Sequence, residues 1–186
     1  MNDNYINARI FISSTFKDMQ LERDCLKKQV LPRLKQALLE YNIDVSLIDL
    51  RWGINTNKID QEEERENKIL KVCFETINNN RPFFIGILGD RYGWIPPKSR
   101  LEKVIKTLDV DTLAEYNNKS VTELEIIHGA IGNPQFLNGS LFYFRQLDYA
   151  DAPATFRNDY NDAFDPELQE SYAKLQVLKK EISTIC

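Results

Sequence analysis

Arg81-Pro-Phe-Phe-Ile-Gly-Ile-Leu-Gly-Asp-Arg-Tyr-Gly-Trp94 is the stretch that decides the fold. Its first half is a continuous apolar run without alternation, bounded by Pro82 and Gly89, and reads as a strand buried on both faces. Such strands occupy the middle of parallel sheets, which need helical crossovers on either side. Its second half changes character to Gly-Asp, a guanidinium and two aromatic rings around a further glycine, the chemistry found where a central strand opens into a cleft.

Working outward, the neighbouring sequence supplies the partners of that strand. Towards the N-terminus, Ala8 to Ser13 is a short apolar strand, and Ser14 to Asp18 offers caps for a helix running to about Tyr41, which Pro32 should kink or split. Asp44 to Trp52 is a further strand, ending at Gly53. Asn55 to Glu66 is acidic and reads as a mobile loop with a solvated face. It leads into a helix with Ile69, Leu70, Cys73, Phe74 and Ile77 on one side, closed by Asn78-Asn79-Asn80.

Towards the C-terminus, Pro96-Pro97 stops regular structure, and Ser99 to Asn118 is a polar insertion with weak helical patterning, readable as a lid or spacer. Ser120-Val-Thr-Glu123 has the form of a capping box opening a helix to Gly132. Gly139 to Arg145 is a last strand, Asp148 to Pro166 a polar and aromatic loop, and Pro166 to Ile185 a charged amphipathic helix. Strand and helix alternate throughout, which predicts an α/β, flavodoxin-like parallel sheet with right-handed crossovers and helices on both faces.

Composition narrows the function classes. A chain of 186 residues, 42% hydrophobic, can bury one core and reads as a single domain over 1–186. The net charge of −4, mixed along the chain, gives no basic footprint for nucleic acid and no polybasic segment for a membrane. With no signal-type apolar segment and no membrane-length run, the sequence predicts a cytoplasmic protein. Its ending at a helix reads as a piece excised from a longer chain. Cys25, Cys73 and Cys186 are scattered and odd in number, which predicts reduced thiols, and no Cys/His pair has metal-ligand spacing, so no metal is expected. The glycine cradles of P-loop and dinucleotide-binding folds are missing, as is the Gly-x-Ser-x-Gly of serine hydrolases.

Parallel sheets bind ligands outside the carboxyl ends of their strands, which gathers Ser13 to Phe16, Arg51 to Gly53, and Gly89 to Trp94 on one edge. The helix opened by Ser120 starts at the same edge and brings Glu123 and Glu125 with it. Glu125 is the sharpest candidate, since a carboxylate near a helix start can bind ribose hydroxyls or steady an oxocarbenium ion; its bland alternative is a favourable electrostatic neighbour. Glu123 is assigned to the capping box. Ser13, Ser14 and Thr15 can donate to a phosphate or simply cap the first helix. Arg51 and Arg91 can pair with a pyrophosphate, and Trp52, Tyr92 and Trp94 can stack on a base or nicotinamide ring, or these residues can form ion pairs and edge packing. His128, the sole histidine, is read as structural.

Four motifs then carry a resemblance: Phe11-Ile-Ser-Ser-Thr-Phe-Lys-Asp-Met19 with Glu22-Arg23-Asp24; Asp49-Leu-Arg-Trp-Gly-Ile54; Arg81 to Trp94; and Ser120-Val-Thr-Glu-Leu-Glu-Ile126. Together they resemble the TIR-like domain that precedes NACHT-type ATPase modules in nephrocystin, the telomerase-associated vault protein, NACHT and WD-repeat proteins and bacterial antiviral STAND proteins. The resemblance implies a TIR-related fold that either cleaves NAD+ or assembles signalling complexes without catalysis. In the first case Glu125, with small Gly129 four positions on, matches the catalytic glutamate. Ser13, Ser14, Thr15 and Phe16, with Arg51 and Trp52, would border the dinucleotide, and Arg91, Tyr92 and Trp94 its rim. NAD+ would be substrate, with no cofactor. Partners would be further copies of the domain and downstream ATPase and sensor modules, in antiphage or innate-immune signalling. Ser120-Val121 departs from the Trp-Cys pair usual ahead of that glutamate.

Overall fold

A computed structural model describes residues 5–50, 70–77, 83–108, 116–132 and 134–185. Four parallel strands, β1 (Ile6–Ser13), β2 (Ile43–Ile48), β3 (Phe83–Leu88) and β4 (Ser140–Phe144), form one sheet in the order β2-β1-β3-β4. The unbroken apolar run thus lies between two neighbours, with Ser13 opposite Gly86 on one side and Phe144 opposite Leu88 on the other. The chain steps one way from β1 to β2 and the other way from β2 to β3, so the order reverses between β1 and β3. A crevice opens at such a reversal.

Side-chain alternation assigns each face of the sheet. Phe11 and Phe84 stack with centroids 5.7 Å apart, and Leu88, Cys73, Ile77, Ile126, Ala130, Leu175, Leu178 and Ile182 bury against them. Ile12 and Ile87 point the other way and meet Met19, with Leu26 and Leu47 alongside. One face is therefore covered by α1 (Gln20–Cys25) and its continuation. The opposite face is covered by α3 (70–77), α5 (Val121–Ile126) and α8 (Gln169–Ile185). Covering both faces is what allows β3 to be apolar throughout.

The first helix is split as its proline requires. After α1, Leu26–Val30 is π-helical, and α2 (Leu31–Leu38) begins with Pro32 in its first turn. The wider turn relieves the clash between the proline ring and the preceding turn, where an amide hydrogen is also missing. A 3-10 turn, Leu39–Tyr41, then ends on Asn42 in the left-handed conformation and feeds β2.

Three departures from the sequence reading have physical causes. The polar insertion is not a spacer: α4 (Lys98–Leu108) buries Leu101, Val104 and Ile105 against Leu70, Phe74, Tyr116 and Leu124. The loop expected from Asp148 to Pro166 contains α7 (Ala154–Tyr160) and a 3-10 turn, Asp162–Phe164. A short α6 (Pro134–Leu137) precedes β4. Being short and mixed in polarity, α6 and α7 leave little periodicity to read. The acidic stretch Asn55 to Glu66 lies outside the described residues.

Candidate functional site

Glu125 sits at the carboxyl end of β1. Ser120 caps α5 by accepting the Glu123 amide at 3.2 Å, and Val121 N–H donates to the Trp94 carbonyl at 2.9 Å, which ties the start of α5 to the rim after β3. One turn on, Ser13 Oγ donates to Glu125 Oε2 at 2.6 Å. Glu125 is only 4% exposed, and burial raises its pKa, opposed by hydrogen bonds from Ser13 and Cys73 and by the charge of Arg23; Asp49 adds to the rise. Burial likewise pushes the Cys73 thiol well up, reinforced by Glu125, so it is a protonated donor rather than a thiolate nucleophile. The small residue at position 129 has a packing reason, because a Cβ there would come 2.7 Å from the Phe84 ring on the central strand.

The loop after β1 is held from beneath by Arg23, which is fully buried. Its Nε donates to Ser14 Oγ at 2.6 Å, one terminal nitrogen to the Ser14 carbonyl at 2.8 Å, and the other to Asp49 Oδ1 at 2.6 Å. The guanidinium carbon also lies 5.0 Å from the Phe16 ring centroid. A second arginine reaches the same loop from the end of β4: Arg145 pairs with Asp18 at 2.8 Å and Glu22 at 3.0 Å, and Asp18 accepts the Thr15 hydroxyl. Gly89 leaves room for this crossing, since a Cβ there would lie 2.6 Å from the Arg145 guanidinium.

The rim residues have other engagements. Arg91 lies 3.5 Å from Asp162 Oδ1 and donates to the carbonyls of Asn158 at 3.0 Å and Asp159 at 3.4 Å. Tyr92 is buried, donates its hydroxyl to Glu123 and its amide N–H to Asp162 Oδ2 at 2.8 Å, so its ring is no open stacking platform in this conformation. Burial, then the hydrogen bond to Glu123, raises the Tyr92 pKa. The Glu123 side chain accepts from Tyr92 and Lys119, so its backbone closes the cap while its carboxylate anchors the rim. Gly93, at φ +93°, turns the rim within 3.1 Å of Thr15, measured from its ideal Cβ. Phe16 and Trp94 are each 40% exposed on these two touching loops and can offer ring faces to a ligand. His128 packs edge-on against Phe74 at 4.9 Å and meets the Tyr116 hydroxyl at 3.2 Å, as a structural residue would. Arg51 and Trp52 lie outside the described residues.

The structure thus brings Ser13, Ser14, Thr15 and Glu125 together at the crevice and turns Arg91 toward the segment 158–162. It adds Arg23, Asp49, Cys73, Asp18 and Arg145, whose roles were invisible in one dimension. Arg23 stood inside a recognised motif, but spacing alone does not say what a guanidinium nine residues from Ser14 will touch. Among the described residues no group of His, Cys, Asp and Glu could hold a metal ion, and no helix is long and apolar enough to cross a membrane. Chemically, the centre is a buried carboxyl group pushed toward its neutral form by burial and drawn back toward the anion by the Ser13 hydroxyl, the Cys73 thiol and the charge of Arg23.

Comparison with known proteins gives the lineage. The chain is 37% identical over 185 residues to mouse telomerase protein component 1, covering 94% of this chain and 6% of that protein. It is 36% identical over 185 residues to a TPR repeat-containing protein of Dictyostelium discoideum, covering 94% of this chain and 10% of that one. Human NACHT and WD repeat domain-containing protein 2 is 31% identical over 122 residues, covering 63% of this chain and 7% of that protein. The chain spans only a small part of the length of these relatives. No solved structure matches it. Residues 9–183 match the family described as Domain of unknown function (DUF4062), and with the match spanning nearly the whole sequence the chain belongs to that family.

Proposed function

We propose that this chain is a TIR-like, flavodoxin-like effector domain that cleaves the bond between nicotinamide and ribose in NAD+. Water takes up the ribosyl carbon, and nicotinamide, ADP-ribose and a proton leave. The observation that supports this reading best is Glu125 at the reversal between β1 and β3, hydrogen-bonded to Ser13 and almost wholly removed from water. A carboxylate there holds the ribose and stabilises the positive charge that builds as the glycosidic bond lengthens, an interaction stronger in the transition state than in the bound substrate. The low polarity of the surroundings strengthens it further. Phe16 and Trp94 offer rings for the base or nicotinamide, and Ser14 and Thr15, next along the loop, would border the phosphates.

With Glu125 so nearly buried, substrate reaches it only when the loop after β1 shifts. Self-association, driven by a STAND-type ATPase in the same chain, supplies that shift in this reading. A relative named for NACHT and WD repeats supports such modules as neighbours, and signalling in cytoplasmic antiviral or innate immunity is the corresponding role. Two observations favour a second reading, a non-catalytic self-association module: Arg91 is occupied by Asp162 and backbone carbonyls, and the Glu125 carboxyl group is buried against Ser13. Nicotinamide release separates the two. Domains fused to an inducible oligomerising scaffold should release nicotinamide from NAD+ while the monomer does so far more slowly; oligomers with no release support the module.

A further inference from the structure

We infer that Ser13 and Cys73 are positioning residues for Glu125, holding its carboxyl group in place from β1 and α3, with Arg23 fixing the loop that follows Ser13. The inference rests on the reading of Glu125 as the reacting carboxylate and assigns Ser13 a task other than phosphate binding. Three observations carry it. The Ser13 hydroxyl is fully buried and spends its one proton on Glu125 Oε2, at 2.6 Å. The Cys73 thiol, 2% exposed on the facing helix, acts on the same carboxyl group and favours its charged form. Arg23, also fully buried, grips Ser14 through both its hydroxyl and its carbonyl, so the residue next to Ser13 cannot drift while the guanidinium stays paired with Asp49.

The groups identified as acting on Glu125 come from four segments: Ser13 on β1, Cys73 on α3, Arg23 on α1 and Asp49 after β2. Ser13 donates a hydrogen bond, Cys73 offers a protonated thiol, Arg23 is a cation and Asp49 an anion. Donors to the charged form of an acid favour that form. Ser13 and Cys73 therefore oppose the burial that pushes this carboxyl group toward its neutral form, and favour the anion, the state that stabilises positive charge on the ribose. Removing either donor raises the pH at which Glu125 loses its proton, and the acid limb of the reaction follows it upward.

The test is a titration of the Glu125 side-chain carboxyl by carbon-13 NMR in the 186-residue chain, beside the pH profile of nicotinamide release by its forced oligomer. Ser13→Ala removes one oxygen and should move the titration up by about one pH unit, a tenfold change in proton affinity. Ser13→Thr keeps the donor and should restore it. Cys73→Ala should act in the same direction and Cys73→Ser should not, which covers the case in which a position-13 variant fails to fold. A titration that moves together with the acid limb supports the inference. A titration that moves while no oligomer, wild type included, releases nicotinamide supports the positioning role and removes the glycohydrolase reading. A titration unmoved in folded Ser13→Ala and Cys73→Ala overturns the inference.

Discussion

Glu125 is a cost to the fold as well as a candidate for chemistry. Its carboxyl group titrates higher folded than unfolded, chiefly through burial. The folded state therefore keeps a proton that the unfolded chain gives up, and this contribution is whole below the ordinary carboxyl range and lost as pH rises through the folded value. At neutral pH the variant Glu125→Gln, uncharged and of the same shape, should be more stable than the wild type. The gain should shrink toward zero below about pH 4, as measured by urea unfolding at both pH values; a variant less stable at neutral pH would show the carboxylate to be structurally required. Arg23 predicts the opposite behaviour. Paired with Asp49 at 2.6 Å and fully buried, it cannot be removed without stranding a carboxylate, so Arg23→Met should cost about 3–5 kcal/mol. The double variant Arg23→Met/Asp49→Leu should recover much of that loss, and a cost under about 1 kcal/mol would mark the pair as no better than a surface bridge. At this scale the sequence named Glu125, Ser13 and Ser14 by placing them at one edge. It could not show that Arg23 rather than Arg91 stands beneath the loop, because that depends on which way α1 turns its side chains after a non-helical entry at Met19.

At the scale of elements, periodicity was legible wherever an element carried enough apolar residues to mark a face. β1, β3 and β4 and the helix opening at Ser120 lie where the pattern puts them, and the split at Pro32 follows from the ring alone, whereas β2 ends at Ile48, short of the expected Trp52, and the first helix opens at Gln20 after Met19 with no side-chain cap from Ser14 to Asp18. α4 was undervalued because Glu102 and Lys103 separate its buried residues and Arg100 and Lys106 flank them, so the charges hid the face. Leu101, 1% exposed, tests its place in the core. Leu101→Ala should destabilise by about 2–5 kcal/mol, read as a lowered midpoint of urea unfolding. A loss below about 0.5 kcal/mol, the size of a surface substitution, would return α4 to the standing of a dispensable insertion. The segment from Ala154 to Phe164 was illegible for a different reason. Its order comes from distant partners, with Asp162 receiving Tyr92 N–H, Arg91 reaching Asn158, and Asp162 N–H donating to the Asp90 carbonyl at 2.9 Å, none of which leaves a local pattern.

For the molecule as a whole, the sheet order is what makes a site out of scattered residues. With β1 beside β3, the loop carrying Ser13 to Phe16 and the rim carrying Asp90 to Trp94 touch through Thr15 and Gly93, and α5 starts from that rim. Helices on both faces of a sheet with right-handed crossovers require such a reversal, but the alternation of strands and helices did not say that it falls between β1 and β3. What the order cannot supply is access to the buried Glu125, which assembly would supply in the proposed glycohydrolase reading. The most direct measurement is nicotinamide release from NAD+ by the forced oligomer of the wild-type chain beside its Glu125→Gln variant, both shown to be folded and equally assembled. The account predicts release by the wild type and a loss of roughly 100-fold or more in the variant; equal rates in the two, or no release by either, would contradict it.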